Sequence, residues 1–327
     1  MAKKNIGIAL TAGDAQAALA RIVEYDAAGI DAVWSTSVVG GGDALTMLIA
    51  AAGHTSQILL GTSIAQIWTR HPVTMAQQAL IANGLAPGRF RLGIGTGHKQ
   101  AMVQLLGAQF ERPLGHLKEY LEITRTLFRD GSVDFEGEHY TARASIAGPA
   151  DIPVMASALR PRSFEVCGEM SDGAISWLCP ARYIEDVAMP ALQLGAERAG
   201  RDAPPLVVHV PVLVHEDRDA VYAAFAEQAS FYLQTVYYPA MFEIAGFSNV
   251  SSSGWTQEML DAVVVTGDEA EVSSRLSAIL DLGNVEVLAM PITGGSRGEP
   301  GKPAPLEGAP VDRTVELLAQ LAKSQEE

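Results

Sequence analysis

Arg91 to Lys99, RLGIGTGHK, forms the end of an apolar strand that runs into a glycine-rich turn followed by a histidine. Gly93, Gly95 and Gly97 give the pattern G-x-G-x-G. The dinucleotide-binding fingerprint needs a third glycine where His98 stands, a helix that begins at once, and a place in the first βαβ unit of its domain. This turn follows about ninety residues of chain, too many for the first βαβ unit, so the surrounding elements must decide what it binds.

Composition excludes several classes of function. The net charge of −15, with no block of Lys or Arg, disfavours nucleic acid and anionic membranes as partners. The N-terminal apolar run is too short for a signal peptide or a membrane span. Cys167 and Cys179 form no C-x-x-C pair and lie near no cluster of metal ligands, which predicts two buried thiols, no metal site and a cytoplasmic location.

Short runs rich in Ile, Val and Leu recur along the chain, and longer helical patterns lie between them, as in parallel sheets covered by helices. Eight such runs are candidate strands: NIGIAL, IDAVWS, QILLGTSIA, RFRLGIG, DIPVMAS, DGAISWL, PLVVHVPVLV and VEVLAMPI. The early helices are predicted over Asp14–Ala28, Asp43–Gly53, from Pro72, and over Leu114–Arg129. This alternation favours a (β/α)8 TIM barrel over a six-stranded doubly wound sheet with a second domain.

Residues 1–327 are therefore predicted to form one barrel domain with loop insertions at about 131–150 and 231–256. The first insertion is typical of a hairpin that turns at Glu136-Gly137, and the second is aromatic and serine-rich without clear periodicity. A Gly/Pro-rich segment, 293–310, precedes a closing helix.

The strand ends carry a resemblance to a known family. The motifs are LGTSIAQIWTRHP (Leu60 to Pro72) and LGIGTGHK, with GIDAVWS before them, APGRFRLGIGTG between them and PVMASALRPRSFEVCGEMSDGAI after them. Together, in this order, they resemble the bacterial luciferase-like superfamily, and within it the reductases that use the deazaflavin coenzyme F420. The resemblance covers most of the first 180 residues.

The resemblance implies how a deazaflavin would bind. It implies a non-prolyl cis peptide between Ser63 and Ile64, with Ile64 behind the middle ring, and a close turn at Thr96 and Gly97. It also implies that the ribityl and phosphate part is lined by Ala156, Ser157, Ala158, Ser176 and Trp177. A hydroxyl and free amides at a helix start suit a phosphate, which favours Ser157. The two alanines could instead simply fill the barrel mouth.

Two positions depart from the family pattern. Many members carry an acidic residue and a histidine after the second strand, where this chain has Ser35, Thr36 and Ser37, whose hydroxyls could bond a ring oxygen. His98 stands where the sugar-phosphate dehydrogenases of the family have a proton-donating glutamate. Histidine can take that role, since its reference pKa of about 6.5 lies near working pH. The replacement disfavours glucose phosphate as substrate. Alternatively, His98 is a loop histidine bonded to backbone.

For the substrate pocket, the candidates are Trp68, His71 and the aromatic stretch FYLQTVYYPAMF. His71 could instead only cap the helix at Pro72. A basic rim that suits the polyanionic tail of F420 is expected from Arg70, Lys99, Arg160, Arg162 and Arg182.

The resemblance thus implies hydride transfer between F420 and a small organic substrate, in a homodimer. The alternatives are an FMN-dependent monooxygenase and a non-catalytic flavin-binding protein.

Overall fold

Eight parallel strands close into a barrel, as predicted. The computed structural model describes residues 5–11, 13–37, 41–248, 250–293, 306 and 309–325. Each strand pairs with the next along the chain, and the last pairs with the first. The barrel strands are β1 (Ile6–Thr11), β2 (Ala32–Thr36), β3 (Leu59–Thr62), β4 (Phe90–Gly95), β5 (Val154–Ser157), β6 (Gly173–Trp177), β7 (Leu206–Val214) and β8 (Val285–Pro291).

Helices surround the barrel and begin where the sequence places caps. Asp14 accepts hydrogen bonds from the amides of Gln16 and Ala17, and Asp43 accepts one from Thr46. The helices are Ala15–Ala28, Ala44–Ala52, Pro72–Leu85, Lys99–Leu106, Pro113–Asp130, Pro161–Met170, Ala181–Tyr183 continued through a π turn into Met189–Arg198, Arg218–Gln228, Gln257–Val263, Glu269–Leu280 and Ala309–Ser324. The predicted early helices and the closing helix are confirmed.

The insertions differ in part from expectation. The first is the predicted antiparallel hairpin, Ser132–Glu136 with Thr141–Ser145, but its turn spans residues 137–140 rather than Glu136-Gly137. The second is helical, with Tyr232–Gln234, Tyr237–Ile244 and Val250–Ser253. Sequence reasoning also missed the short strands Ala65–Gln66 and Val265–Gly267, which pair with β4 and β7. The Gly/Pro-rich segment 293–310 lies mostly outside the described residues.

A tryptophan fills the barrel interior. Side chains alternate between lumen and outer face along each strand, and paired residues on parallel strands face the same side. Trp34 of β2 is 1% exposed and packs in a lumen cluster whose other members are Ala32, Met155, Ile175, Val207 and Leu288. Its neighbour on β3 is Gly61, where an added Cβ would lie 2.3 Å from the indole ring. The missing side chain on β3 is therefore what gives the indole its space.

An ion pair lies at the N-terminal end of the lumen. Arg91, second residue of β4, donates from Nη1 to both carboxylate oxygens of Glu286, second residue of β8, at 2.8 and 2.9 Å. With Trp34, this pair fills the lower lumen, so the space left for a ligand is at the C-terminal mouth, where TIM-barrel sites lie.

Gly61→Ala should destabilise the protein by about 1–3 kcal/mol, because the fully buried indole of Trp34 cannot move away from the new methyl group. Unfolding in urea measures the change. Gly84→Ala is the matched control: Gly84 lies in helix Pro72–Leu85 with open space around its Cβ position, so its variant should be as stable as wild type or slightly more. Equal stability of the two variants would contradict the close packing at Gly61.

Candidate active site at the barrel mouth

Small and hydroxyl-bearing residues line one side of the mouth, from β2 to β5. Strand register turns Thr36 and Ser157 toward the lumen, together with Gly95. The Thr36 hydroxyl donates to the Ser63 carbonyl oxygen at 2.8 Å and lies 3.4 Å from the Ser63 hydroxyl. These hydroxyls give this side a polar edge at which carbonyl or hydroxyl groups of a ligand can bond.

Ile64 forms an apolar wall beside these hydroxyls. The peptide between Ser63 and Ile64 is cis, as the resemblance implied. The Ile64 side chain packs on the lumen cluster and lies over the bare backbone of Gly95. A Cβ at Gly95 would come within 2.2 Å of the Ser157 hydroxyl and 3.0 Å of Ile64. The absence of a side chain at Gly95 is therefore what leaves room for Ile64 and the Ser157 hydroxyl beside this part of the strand.

The backbone of the glycine-rich turn is held by a hydrogen bond from Trp68. Gly97 has a φ of 62°, a conformation that favours glycine. Trp68 donates from its indole Nε1 to the Thr96 carbonyl at 2.8 Å and packs against Phe110 and His116. Trp68, expected to line the substrate pocket, therefore supports the backbone of Thr96. In contrast to the expectation of a loop, a helix begins immediately after His98.

His98 sits among aromatic rings of the second insertion. Its ring centroid is 5.4 Å from those of Phe231 and Tyr232 and 5.9 Å from that of Tyr238. The ring makes no helix-capping hydrogen bond, although His98 is the N-cap residue of Lys99–Leu106. Burial lowers the pKa of His98 and raises the pKa values of Tyr232 and Tyr238. All three groups are therefore neutral near pH 7.

Strands β6 and β7 complete this aromatic side. Trp177, the last residue of β6, pairs in register with His209 of β7, and their ring centroids are 4.3 Å apart. Trp177 also contacts Tyr232 at 5.9 Å, which links His209 through the two rings to His98. Sequence reasoning missed His209; its signal was a single polar side chain inside the apolar run LVVHVPVLV.

Three predicted site residues turn away from the lumen. Ser35, Ala156 and Ser176 are fully buried on the outer face of their strands, because each is offset by one position from a lumen-facing residue. Ser176 donates to the Val207 carbonyl, and Ser35 Oγ has no partner in the described residues. Their side chains therefore cannot line the lumen.

The helix start after β5 offers fewer free amides than expected. The Ser163 hydroxyl accepts hydrogen bonds from the amides of Leu159 and Arg160, each at 3.1 Å. The Ala158 amide donates to the Ile175 carbonyl at 2.9 Å. Ser157 itself still faces the lumen, so its hydroxyl, rather than the neighbouring amides, is the group available to a ligand.

Both ring nitrogens of His71 contact backbone groups outside the mouth. Its Nδ1 accepts a hydrogen bond from the Val73 amide, and Nε2 lies 3.1 Å from the Thr141 carbonyl of the hairpin. The ring is exposed and stacks edge-on with Tyr140. His71 thus joins helix Pro72–Leu85 to the hairpin, in agreement with the alternative that it caps this helix, and its contact with a substrate stays a prediction.

The five cations expected at the rim differ in their contacts: two are engaged by carboxylates, and the other three are exposed. Arg70 is bonded to Asp43 and to Gln78, with only 16% of its side chain exposed, and Arg182 pairs with Asp186. In the described part of the chain, Lys99, Arg160 and Arg162 are exposed and form no ion pair. These three cations follow β4 and β5, beside the hydroxyl-lined side of the mouth.

Neither cysteine has the exposure or the low thiol pKa of a catalytic cysteine. Cys167 and Cys179 are free and buried, and burial raises the pKa of each to about 12, which confirms two inert thiols. Within the described ranges, no group of His, Cys, Asp and Glu has the arrangement of a metal site. No described helix has the length and apolar character that a membrane crossing requires.

Comparison with known proteins agrees with this geometry. The family model of luciferase-like monooxygenases matches residues 3–284. The 5,10-methylenetetrahydromethanopterin reductase of Methanolobus tindarius is 28% identical over 281 residues, covering 80% of this chain and 86% of the relative. A Mycobacterium tuberculosis protein named as a coenzyme F420-dependent oxidoreductase is 26% identical over 310 residues, covering 82% and 88%.

Solved structures show the same fold. An F420-dependent secondary alcohol dehydrogenase, in complex with an F420-acetone adduct, has a TM-score of 0.78 at 18% identity, with 98% of each chain covered. The FMN-bound oxygenating constituent of 3,6-diketocamphane monooxygenase from Pseudomonas putida has a TM-score of 0.69 at 16% identity, also with 98% of each covered. The barrel, the motifs at its strand ends and the family match together establish that this chain belongs to the luciferase-like monooxygenase family.

Proposed function

We propose that this protein is an oxidoreductase that transfers a hydride between coenzyme F420 and a small organic substrate. The observation that carries the proposal is the two-sided mouth: Ile64 and hydroxyls on one side, neutral His98 in an aromatic enclosure on the other. F420-dependent oxidoreductases among the relatives support the same cofactor. FMN is the alternative, since FMN enzymes share the fold.

The residues fit a flavin-like ring. Ile64 would support one face, while Thr36, Ser63 and Ser157 would offer hydroxyls to its edge, and Thr96 and Gly97 would border it. Coenzyme F420 supplies or accepts a hydride at C5 of its deazaflavin when bound. Trp177 and the second insertion would exclude water, which strengthens hydrogen bonds within the site.

His98 is proposed to handle the proton. Because its surroundings, Phe231, Tyr232 and Tyr238, are uncharged and bury the ring, the neutral imidazole is favoured. The neutral imidazole has a free lone pair on one ring nitrogen, so His98 can act as the base that receives a proton from a substrate hydroxyl.

We further propose a cytoplasmic homodimer. The two free thiols suit a reducing compartment. Ile81 and Leu85, 57% and 50% exposed, lie four residues apart on one face of helix Pro72–Leu85 and would pack against a second copy.

Titration with F420 and with FMN in parallel tests the proposal. We expect micromolar affinity for F420 and no saturable FMN binding, measured by quenching of cofactor fluorescence. Binding of FMN alone would overturn the choice of cofactor and favour the monooxygenase alternative.

The exposed cations should recognise the anionic tail of F420. Replacing both Arg160 and Arg162 with Gln should weaken F420 binding roughly five- to tenfold, because each exposed ion pair contributes up to about 1 kcal/mol. Affinity for the deazaflavin riboside, which lacks the tail, should not change. Arg143→Gln, on the hairpin, is the control and should affect neither ligand. An equal loss for both ligands would contradict a tail contact.

His98→Ala should lower kcat by roughly 10²- to 10⁴-fold with cofactor affinity nearly unchanged, if His98 moves the proton. In the direction of alcohol oxidation, the base must be neutral. The wild-type rate should therefore fall as the pH drops through the pKa of His98, which burial places below the usual value of 6.5. Steady-state rates measured across a pH series test for this fall, the acid limb of the pH profile.

His98→Gln keeps a polar side chain of similar size but cannot titrate, so the acid limb should disappear in this variant as well. Turnover within about threefold of wild type in both variants would exclude the proton role. Loss of cofactor affinity and stability with an intact pH profile would identify His98 as a support of the turn.

A further inference from the structure

His209 is a buried polar side chain that packing alone does not explain. It lies in the middle of β7, whose nine residues are all buried, and is 8% exposed. Its Nε2 atom has no hydrogen-bond partner among the described residues. A leucine at this position would satisfy the strand without leaving a nitrogen unpaired, and an unpaired buried polar atom is costly.

Register places the imidazole in the lumen. His209 pairs with Trp177 on β6 and with Leu288 on β8, and Leu288 belongs to the lumen cluster. Val207, two residues earlier on the same face, belongs to that cluster too. His209 therefore lies just above the apolar filling of the barrel, at the base of the aromatic side of the mouth.

The described residues around His209 carry no charge that shifts its pKa. Its neighbours are the indole of Trp177, the side chain of Leu288 and, beyond Trp177, the ring of Tyr232. Trp177 Nε1 also has no partner of hydrogen-bond geometry among the described residues. Its indole N–H nevertheless lies close enough to the Tyr232 hydroxyl to oppose the rise that burial causes in the pKa of Tyr232. Burial lowers the pKa of His209 to about 3, so the imidazole is neutral near pH 7.

We propose that His209 Nε2 hydrogen-bonds an oxygen atom of the substrate, and that the substrate is an uncharged alcohol or carbonyl compound rather than a phosphorylated one. The inference rests on the proposed function and specifies its substrate class. A phosphate placed beside His209 would be buried without a cation, at high cost. The exposed cations Lys99, Arg160 and Arg162 lie at the rim and follow β4 and β5, whereas His209 lies on β7.

Histidine NMR on the wild-type protein tests the contact directly. With ¹⁵N-labelled histidine and bound F420, adding cyclohexanol or cyclohexanone should shift the His209 Nε2 resonance, assigned by its loss in His209→Leu. Glucose 6-phosphate should cause no shift. If no uncharged alcohol or ketone in a three- to eight-carbon series shifts this resonance, the proposal is overturned.

Kinetics of two variants separates recognition from support of the fold. His209→Leu should lower kcat/KM for the uncharged probes about tenfold, mainly through KM, with F420 affinity within threefold of wild type. His209→Gln, whose amide can occupy the position of Nε2, should recover part of that loss. His54→Gln, at an exposed histidine, is the control and should match wild type.

The thermal stability of the cofactor-free variants is the second measurement. His209→Leu should melt at or above the wild-type temperature, because it removes an unpaired buried nitrogen. Lower stability of both His209 variants would identify a structural role and overturn the proposal. Failure of wild type to bind F420 would instead refute the proposed function, and turnover of glucose 6-phosphate alone would refute only the substrate class.

Discussion

The contact between Trp34 and Gly61 sets the depth of the site. A closed eight-stranded barrel has room inside for little more than its own side chains. Here one indole occupies the middle because β3 has no side chain beside it, and Gly7 on β1 likewise leaves only 3.0 Å between an added Cβ and the ring. With the Arg91–Glu286 pair beneath it, this filling confines any ligand to the upper lumen. The position of the site thus follows from core packing.

The alternation of side chains then divides the mouth into two chemically different halves. On β2 to β5 the lumen-facing positions near the mouth hold Thr36, Ser63, Gly95 and Ser157, which are small. On β6 and β7 they hold Trp177 and His209, which are large and aromatic. A shift of one residue in any strand would exchange these groups for outward-facing neighbours such as Ser35 or Ser176. The register of the barrel is consequently a determinant of the site's chemistry.

The fold was predictable from the sequence because each strand and each early helix carries a strong local signal, such as the apolar run of β7 or the cap at Asp14. The glycine turn and the cis peptide followed from motif resemblance. Motifs fix positions along the chain but not which face of a strand a residue occupies, which explains why Ser35 and Ser176 were expected at the site. The amides near Ser157 were misjudged because their partner, the Ser163 hydroxyl, is set by local capping. The contact of His71 with Thr141 was not foreseen because it is a tertiary contact.

The aromatic half was the least predictable part because its members come from distant segments. Trp177 and His209 meet through the register of β6 and β7, and Tyr232 of the second insertion links their rings to His98. Their meeting has an electrostatic consequence: burial keeps both imidazoles and the tyrosine neutral. A site built from neutral donors and acceptors gains most from bonds to neutral oxygen atoms, since it has no charge with which to offset the desolvation of an ion. The cations that could bind an anion are left at the rim, where a charged tail can reach them while it remains in contact with water.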